Sequence, residues 1–240
     1  MASGILVILI SSIIAVAVML SLPSPEPIRF RWGVDIGDDF YFDIEVEGSM
    51  NNESNPVPFM TFSSTRIHVV ITTLPNISSL DSEEGLVEVV SSQKVLCTLA
   101  NGTEFADDHS EGFYSSSSTT ISEMISRAIL PVGGWSFIDD LFPDDLASDV
   151  AHGADSNTFY SWIDQESFFF GYRNWYIDFG HGWDACLDKD TGVPISIHHW
   201  ESDMICIGHY KVTLTLALPI FCLVRIGACL ANAYMAWTRE

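Results

Sequence analysis

The chain has 240 residues, 48% hydrophobic and only 18% charged, with 32 acidic against 10 basic side chains and a formal net charge of −22. A composition this apolar buries a core, which excludes a disordered solvating chain. The charge argues against nucleic acid and anionic lipid head groups as partners, since both need clustered positive charge. Five cysteines are too few for a disulfide-dense miniprotein.

All the charged residues except Arg225, Arg239 and Glu240 fall within residues 26–211, so an acidic body lies between two apolar ends. Gly4 to Leu22 is an uncharged, proline-free run of 19 residues, close to the ~20 that cross a bilayer as a helix. Pro23, Pro25 and Pro27 end it. A cleaved signal peptide is the alternative, but no basic residue precedes the run and Val18-Met19-Leu20 offers no clean small-x-small site. Residues 1–22 therefore read as a transmembrane anchor, 23–31 as a linker, 32–211 as an acidic β-rich domain outside the cytoplasm, and 212–240 as an apolar C-terminal segment. Within the last, Leu214–Trp237 contains Pro219, Arg225 and Asn232. It reads either as a second transmembrane helix or as a strand through Leu216 followed by a helix lying on the protein or the membrane. Three N-x-Ser/Thr sequons, at Asn52, Asn76 and Asn101, all lie in the body and agree with a location at the cell surface and with glycosylation.

In chain order, Phe40, Phe42, Ile44 and Val46 alternate with Tyr41, Asp43, Glu45 and Glu47, which predicts a half-buried strand with an acidic outer face. Gly48 to Pro58 reads as a polar connection. Ile67, Val69 and Ile71 predict a second strand, and Leu86–Val90 and Lys94–Leu99 two more, with a turn at Asn101-Gly102. Thr120-Ile121-Ser122-Glu123 has capping-box spacing, and Ile121, Met124, Ile125, Ala128 and Ile129 recur at helical intervals, so a helix is expected near Ile121–Leu130. Trp135–Leu146 reads as a short helix or turn. From Phe159 on, the chain is again β-like and very aromatic. The fold class expected is α+β: a curved antiparallel sheet, half-barrel or sandwich-like, with one helical insert.

The late hairpin around Leu187-Asp188-Lys189-Asp190-Thr191-Gly192-Val193 is the clearest local geometry. Pairing Leu187 with Val193 sets Ala185 against Ile195, Trp183 against Ile197 and His181 against His199, and turns Leu187, Trp183, Val193, Ile195 and Ile197 to the core. Cys186 then points away from it.

Trp32-Gly33-Val34-Asp35-Ile36-Gly37-Asp38-Asp39-Phe40, Leu130-Pro131-Val132-Gly133-Gly134-Trp135 and Leu187-Asp188-Lys189-Asp190-Thr191-Gly192 resemble, in content and order, a pattern of uncharacterised membrane-anchored surface proteins of archaea. The resemblance implies a surface location and brings no assigned activity. The β-rich layout with a helical insert is also similar in architecture to lipoprotein-carrier half-barrels of the LolA type. That likeness implies a hydrophobic ligand and carries over no ligand residue.

His181 and His199 are the candidate metal ligands. As cross-strand neighbours they suit Zn²⁺, with Glu201 or Asp203 as an oxygen ligand; hydrogen-bonded histidines at a sheet rim are the plainer reading. Asp188–Gly192 lacks the frame of a calcium loop and reads as a turn, and Asp139-Asp140 with Asp144-Asp145 as a solvated acidic loop. No nucleophile elbow, zincin helix, P-loop or dinucleotide fingerprint occurs. Cys97, Cys186 and Cys206 in the body and Cys222 and Cys229 in the tail fix no disulfide pairing by their number or spacing. The function expected is a membrane-anchored extracytoplasmic domain, not an enzyme and without a cofactor, that binds or presents a partner at the cell surface. The alternative is a carrier of a hydrophobic ligand, lipid or lipoprotein. A metal-dependent hydrolase using His181 and His199 is third.

Overall fold

The alternating run that starts at Asp39 forms the first strand of an eight-stranded antiparallel sheet in the computed structural model of the protein. The structure describes residues 29–50, 57, 59–77, 83–103, 105, 120–141, 156–176, 179–203 and 208–217. The segments expected to anchor the chain, Asn52, Cys206 and most of the C-terminal segment lie outside these residues.

The strands are β1 (Asp39–Met50), β2 (Thr65–Thr73), β3 (Lys94–Leu99), β4 (Ser156–Ile163), β5 (Ser167–Tyr176), β6 (Phe179–Asp188), β7 (Pro194–Asp203) and β8 (Gly208–Leu216). They lie in the order β3-β2-β1-β8-β7-β6-β5-β4, so the first and last strands meet in the middle of an open, curved sheet. The helices are α1 (Glu83–Ser92), α2 (Ile121–Ala128) and α3 (Trp135–Leu141). The class is α+β and sheet-dominated. Of the two readings of the C-terminal segment, the strand through Leu216 is present, with Leu214 fully buried.

All three helices contribute to one core on one face of the sheet. Leu86 and Val89 of α1, Ile121, Met124, Ile125 and Ala128 of α2, and Ile138 of α3 pack with Phe42, Ile44, Ile67, Val69, Val212 and Leu214. The start of α2 is fixed as expected. Thr120 accepts a hydrogen bond from the Glu123 amide at 3.1 Å, and the Glu123 carboxylate accepts one from the Thr120 amide at 3.3 Å.

Two expectations are corrected. Leu86–Val90, expected as a strand, lies within α1. Its β-branched residues favour a strand locally, but Leu86 and Val89 are buried three residues apart while Glu88 is exposed, which only a helix achieves. The helical insert is therefore not single: α1 precedes β3, while α2 and α3 separate β3 from β4.

The second correction is the β6–β7 register. The turn closes between Asp188 and Val193 (amide to carbonyl, 3.0 Å), one residue later than expected. A bulge then sets Cys186 against Ser196 and Leu187 against Pro194, leaving Ile195 as the extra residue. Ala185 thus faces Ile197, Trp183 faces His199 and His181 faces Glu201. Two one-residue displacements add to two, so the faces survive and only Ile195 changes sides. It packs with Phe169 and Cys186 on the outer face. Cys186 points away from the core as expected, and it is disulfide-bonded.

The stretches 31–40, 130–135 and 187–192 meet in space, with Gly33 packed against the Thr191 backbone. Arg31 and Val132 form a two-way backbone bridge at 3.0 and 2.8 Å, and Leu130 donates its amide to the Gly192 carbonyl at 3.0 Å. The Trp135 indole donates to the Lys189 carbonyl at 3.1 Å. Gly192, at φ +71°, lies where a Cβ would sit 1.9 Å from the Leu130 carbonyl oxygen, so the turn docks only with glycine there.

Candidate functional site

Core-face residues form rows across the strands. Nearest the β6–β7 turn, Phe168 and Leu187 lie side by side, and the next row is Phe170, Ala185, Ile197, Leu214 and Ile44. Both rows are apolar. Toward the other end the chemistry changes. Tyr172, Trp183, His199, Val212 and Val46 form one row, and Asn174, His181, Glu201 and Tyr210 the next, ending at Gly48. A Cβ at Gly48 would lie 2.8 Å from the Tyr210 Cα, so the glycine admits the close approach of the two strands at the end of the polar row.

Glu201 is 2% exposed, His199 6% and Tyr210 1%. The His199 Nε2 lies 3.2 Å from the Tyr210 hydroxyl and 3.5 Å from Glu201 Oε1. Neither carboxyl oxygen of Glu201 has a hydrogen-bond partner among the described residues. A buried polar group left in that state costs about 1–3 kcal/mol. His181 sits opposite Glu201, and its ring lies 5.8 Å from that of Tyr172. Burial pushes the His181 imidazole below its ordinary pKa, Glu201 opposes the shift and His199 adds to it. Burial raises Tyr172 above its ordinary value, with a hydrogen bond from Asn174 acting the other way.

His181 and His199 share the core face, as expected. The corrected register makes them diagonal rather than directly opposed neighbours, a separation of about 7–8 Å instead of 4.5–5.5 Å. Glu201 lies between them in the cross-strand pattern. Among the described residues no three His, Cys, Asp or Glu side chains come together closely enough to hold a metal ion. Asp203, the other expected oxygen donor, pairs with Phe179 at the end of β7. Tyr210 was missed from the sequence; its position two strands from His181 is signalled only by the β7–β8 pairing.

Of the sequons, Asn76 and Asn101 are exposed. Asn101 Oδ1 accepts from both the Thr103 amide and the Thr103 hydroxyl.

A separate cleft of about 370 Å³ opens where the stretches 31–40, 130–135 and 187–192 meet, lined in part by Arg31, Trp135, Glu166 and Lys189. The Lys189 ammonium is spent on the Asp164 and Gln165 carbonyls, at 2.8 and 3.4 Å, so this cleft reads as a packing junction.

No family model matches the chain, and no curated protein and no solved structure matches it.

Proposed function

We propose that the chain is a membrane-anchored binding domain outside the cytoplasm, held by residues 4–22, which recognises an ammonium or other hydrogen-donating head group through Glu201. The observation that carries this reading is the Glu201 carboxyl group, buried with no hydrogen bond to either oxygen among the described residues and the nearest ring nitrogen, His199 Nε2, 3.5 Å away. A ligand that brings N–H donors supplies what the site lacks, and two histidines and a tyrosine beside it adjust the local hydrogen bonding. The net charge of −22 draws cations toward the surface. The disulfide at Cys186 supports an oxidising compartment, and exposed Asn76 and Asn101 suit glycosylation there. A hydrophobic-ligand carrier is less well supported, because side chains of α2 and α3 fill the core face that such a ligand would need.

Thermal unfolding with ethanolamine and spermidine, in the wild-type chain and in Glu201→Gln, tests the proposal. Saturation at ten times the dissociation constant should stabilise the wild type by about 1.4 kcal/mol and leave Glu201→Gln unmoved. An equal response in the variant would assign the effect to the acidic surface.

A further inference from the structure

The outer face of β4–β7 is dry, and no described helix covers it. Phe169 and Cys186 are each 2% exposed and Ile195 4%. They form a cluster with Trp162, whose ring stacks on Phe169 at 4.4 Å between centroids. The buried residues of α1, α2 and α3 all belong to the core on the opposite face. Another part of the chain must therefore exclude water here, and Cys186 shows where it is tied down.

Cys97 lies on β3, five strand positions from β6 and on the core face, so it cannot be the partner of Cys186. Cys206 belongs to the short connection after Asp203, which pairs with Phe179 at the far end of β6. Cys186 is seven residues along β6 from there, about 23 Å. Three residues beyond Asp203 reach at most about 11 Å, and a disulfide spans only about 4.4–6.8 Å between Cα atoms. The tail cysteines remain. β8 leaves the sheet beside the right place, because Thr215 faces Ser196 and Ser196 faces Cys186, two strand spacings or about 10 Å. The Ala217 amide still donates to the Tyr41 carbonyl at 2.7 Å, and Cys222 is five residues beyond it, a reach of up to about 17 Å. Cys229 lies seven residues further on, so Cys222 closes the shorter loop.

We propose that a Cys186–Cys222 disulfide holds residues 218–240 on the outer face of β4–β7, where they cover Phe169, Ile195 and Trp162. In a helix Cys222, Ile226 and Cys229 share one side, giving the segment an apolar stripe for that face. The segment is thus a docked element of the domain and not a second membrane span. The bond forms by exchange with a disulfide oxidant outside the cytoplasm. One thiolate attacks the oxidant to give a mixed disulfide, the second displaces it, and the oxidant leaves as a dithiol with the two electrons and two protons.

A tryptic map of the full chain without reduction tests this. Cleavage after Arg173, Lys189, Lys211 and Arg225 places Cys186, Cys206, Cys222 and Cys229 in four separate peptides: 174–189, 190–211, 212–225 and 226–239. The expected result is a 174–189 peptide linked to 212–225, released completely by dithiothreitol. Such a link places the segment on the outer face, because Cys186 opens only to that side. Linkage of 174–189 to 190–211 or to 226–239, or an alkylated Cys186 thiol, would overturn the proposal.

Discussion

On the outer face of β1 and β2, Tyr41, Glu45 and Glu47 stand exposed and Arg66 pairs with Asp43 in water at 2.6 and 2.8 Å. On the outer face of β5, β6 and β7, Phe169, Cys186 and Ile195 are as dry as the core. The strands are neighbours in one sheet, yet the first half is two-layered and the second is covered on both sides. The sequence carries the difference. β1 alternates strictly, as a strand with one wet face must, whereas Phe168-Phe169-Phe170 runs apolar without a break. The covered half is also where glycines admit aromatic rings. A Cβ at Gly171 would meet the Tyr160 ring at 2.5 Å, and one at Gly182 the Trp200 ring at 2.9 Å.

The largest expected effect belongs to the face both halves share with the helices. Met124→Asp buries an unpaired carboxylate beneath α2 and should cost more than about 4 kcal/mol, read by chemical denaturation. A wild-type midpoint would show that α2 does not pack as described.

The comparison itself is sharpened by truncating one outer-face residue in each half. Phe169→Ala should lose about 3–5 kcal/mol, as a core aromatic does, while Glu45→Ala should change stability by no more than about 0.5 kcal/mol. Similar small losses at both positions would mean that the outer face of β5 is wet.

A smaller effect comes from His181. Its folded-state pKa lies below the ordinary 6.5, so the unfolded chain takes up the proton first as pH falls. This group therefore has no influence well above pH 6.5 and removes stability as pH drops from there toward its folded-state value. His181→Gln should flatten that part of the melting-temperature profile, with Glu201, His199 and Tyr172 left facing the position. An unchanged slope in the variant would assign the pH dependence elsewhere.

Local signals carried much of this fold. Strict alternation marked β1 and β2, and the Thr120–Glu123 capping box with its apolar stripe marked α2, because in each case propensity and burial point the same way. Leu86–Val90 misled because its β-branched residues conflict with the tertiary contacts that make α1 a helix. The hairpin turn was visible in Asp188–Gly192, but the bulge at Ile195 depends on how β7 meets β6 beside Pro194, which has no amide to give. The candidate site was legible as two histidines on one face. That Glu201 and Tyr210 stand in the same row depends on register and on the β7–β8 pairing, which no short-range pattern encodes.

The stability of Glu201→Gln, measured in the full chain by thermal unfolding without added ligand, bears most directly on whether Glu201 is held for binding. A buried carboxyl group kept for a ligand is a local liability, and its neutral isostere should relieve part of it. The expected result is a higher melting temperature, at about 2–4 °C per kcal/mol for a domain of this size. A lower melting temperature would contradict it, because Glu201 would then be stabilising the folded chain rather than waiting for a donor.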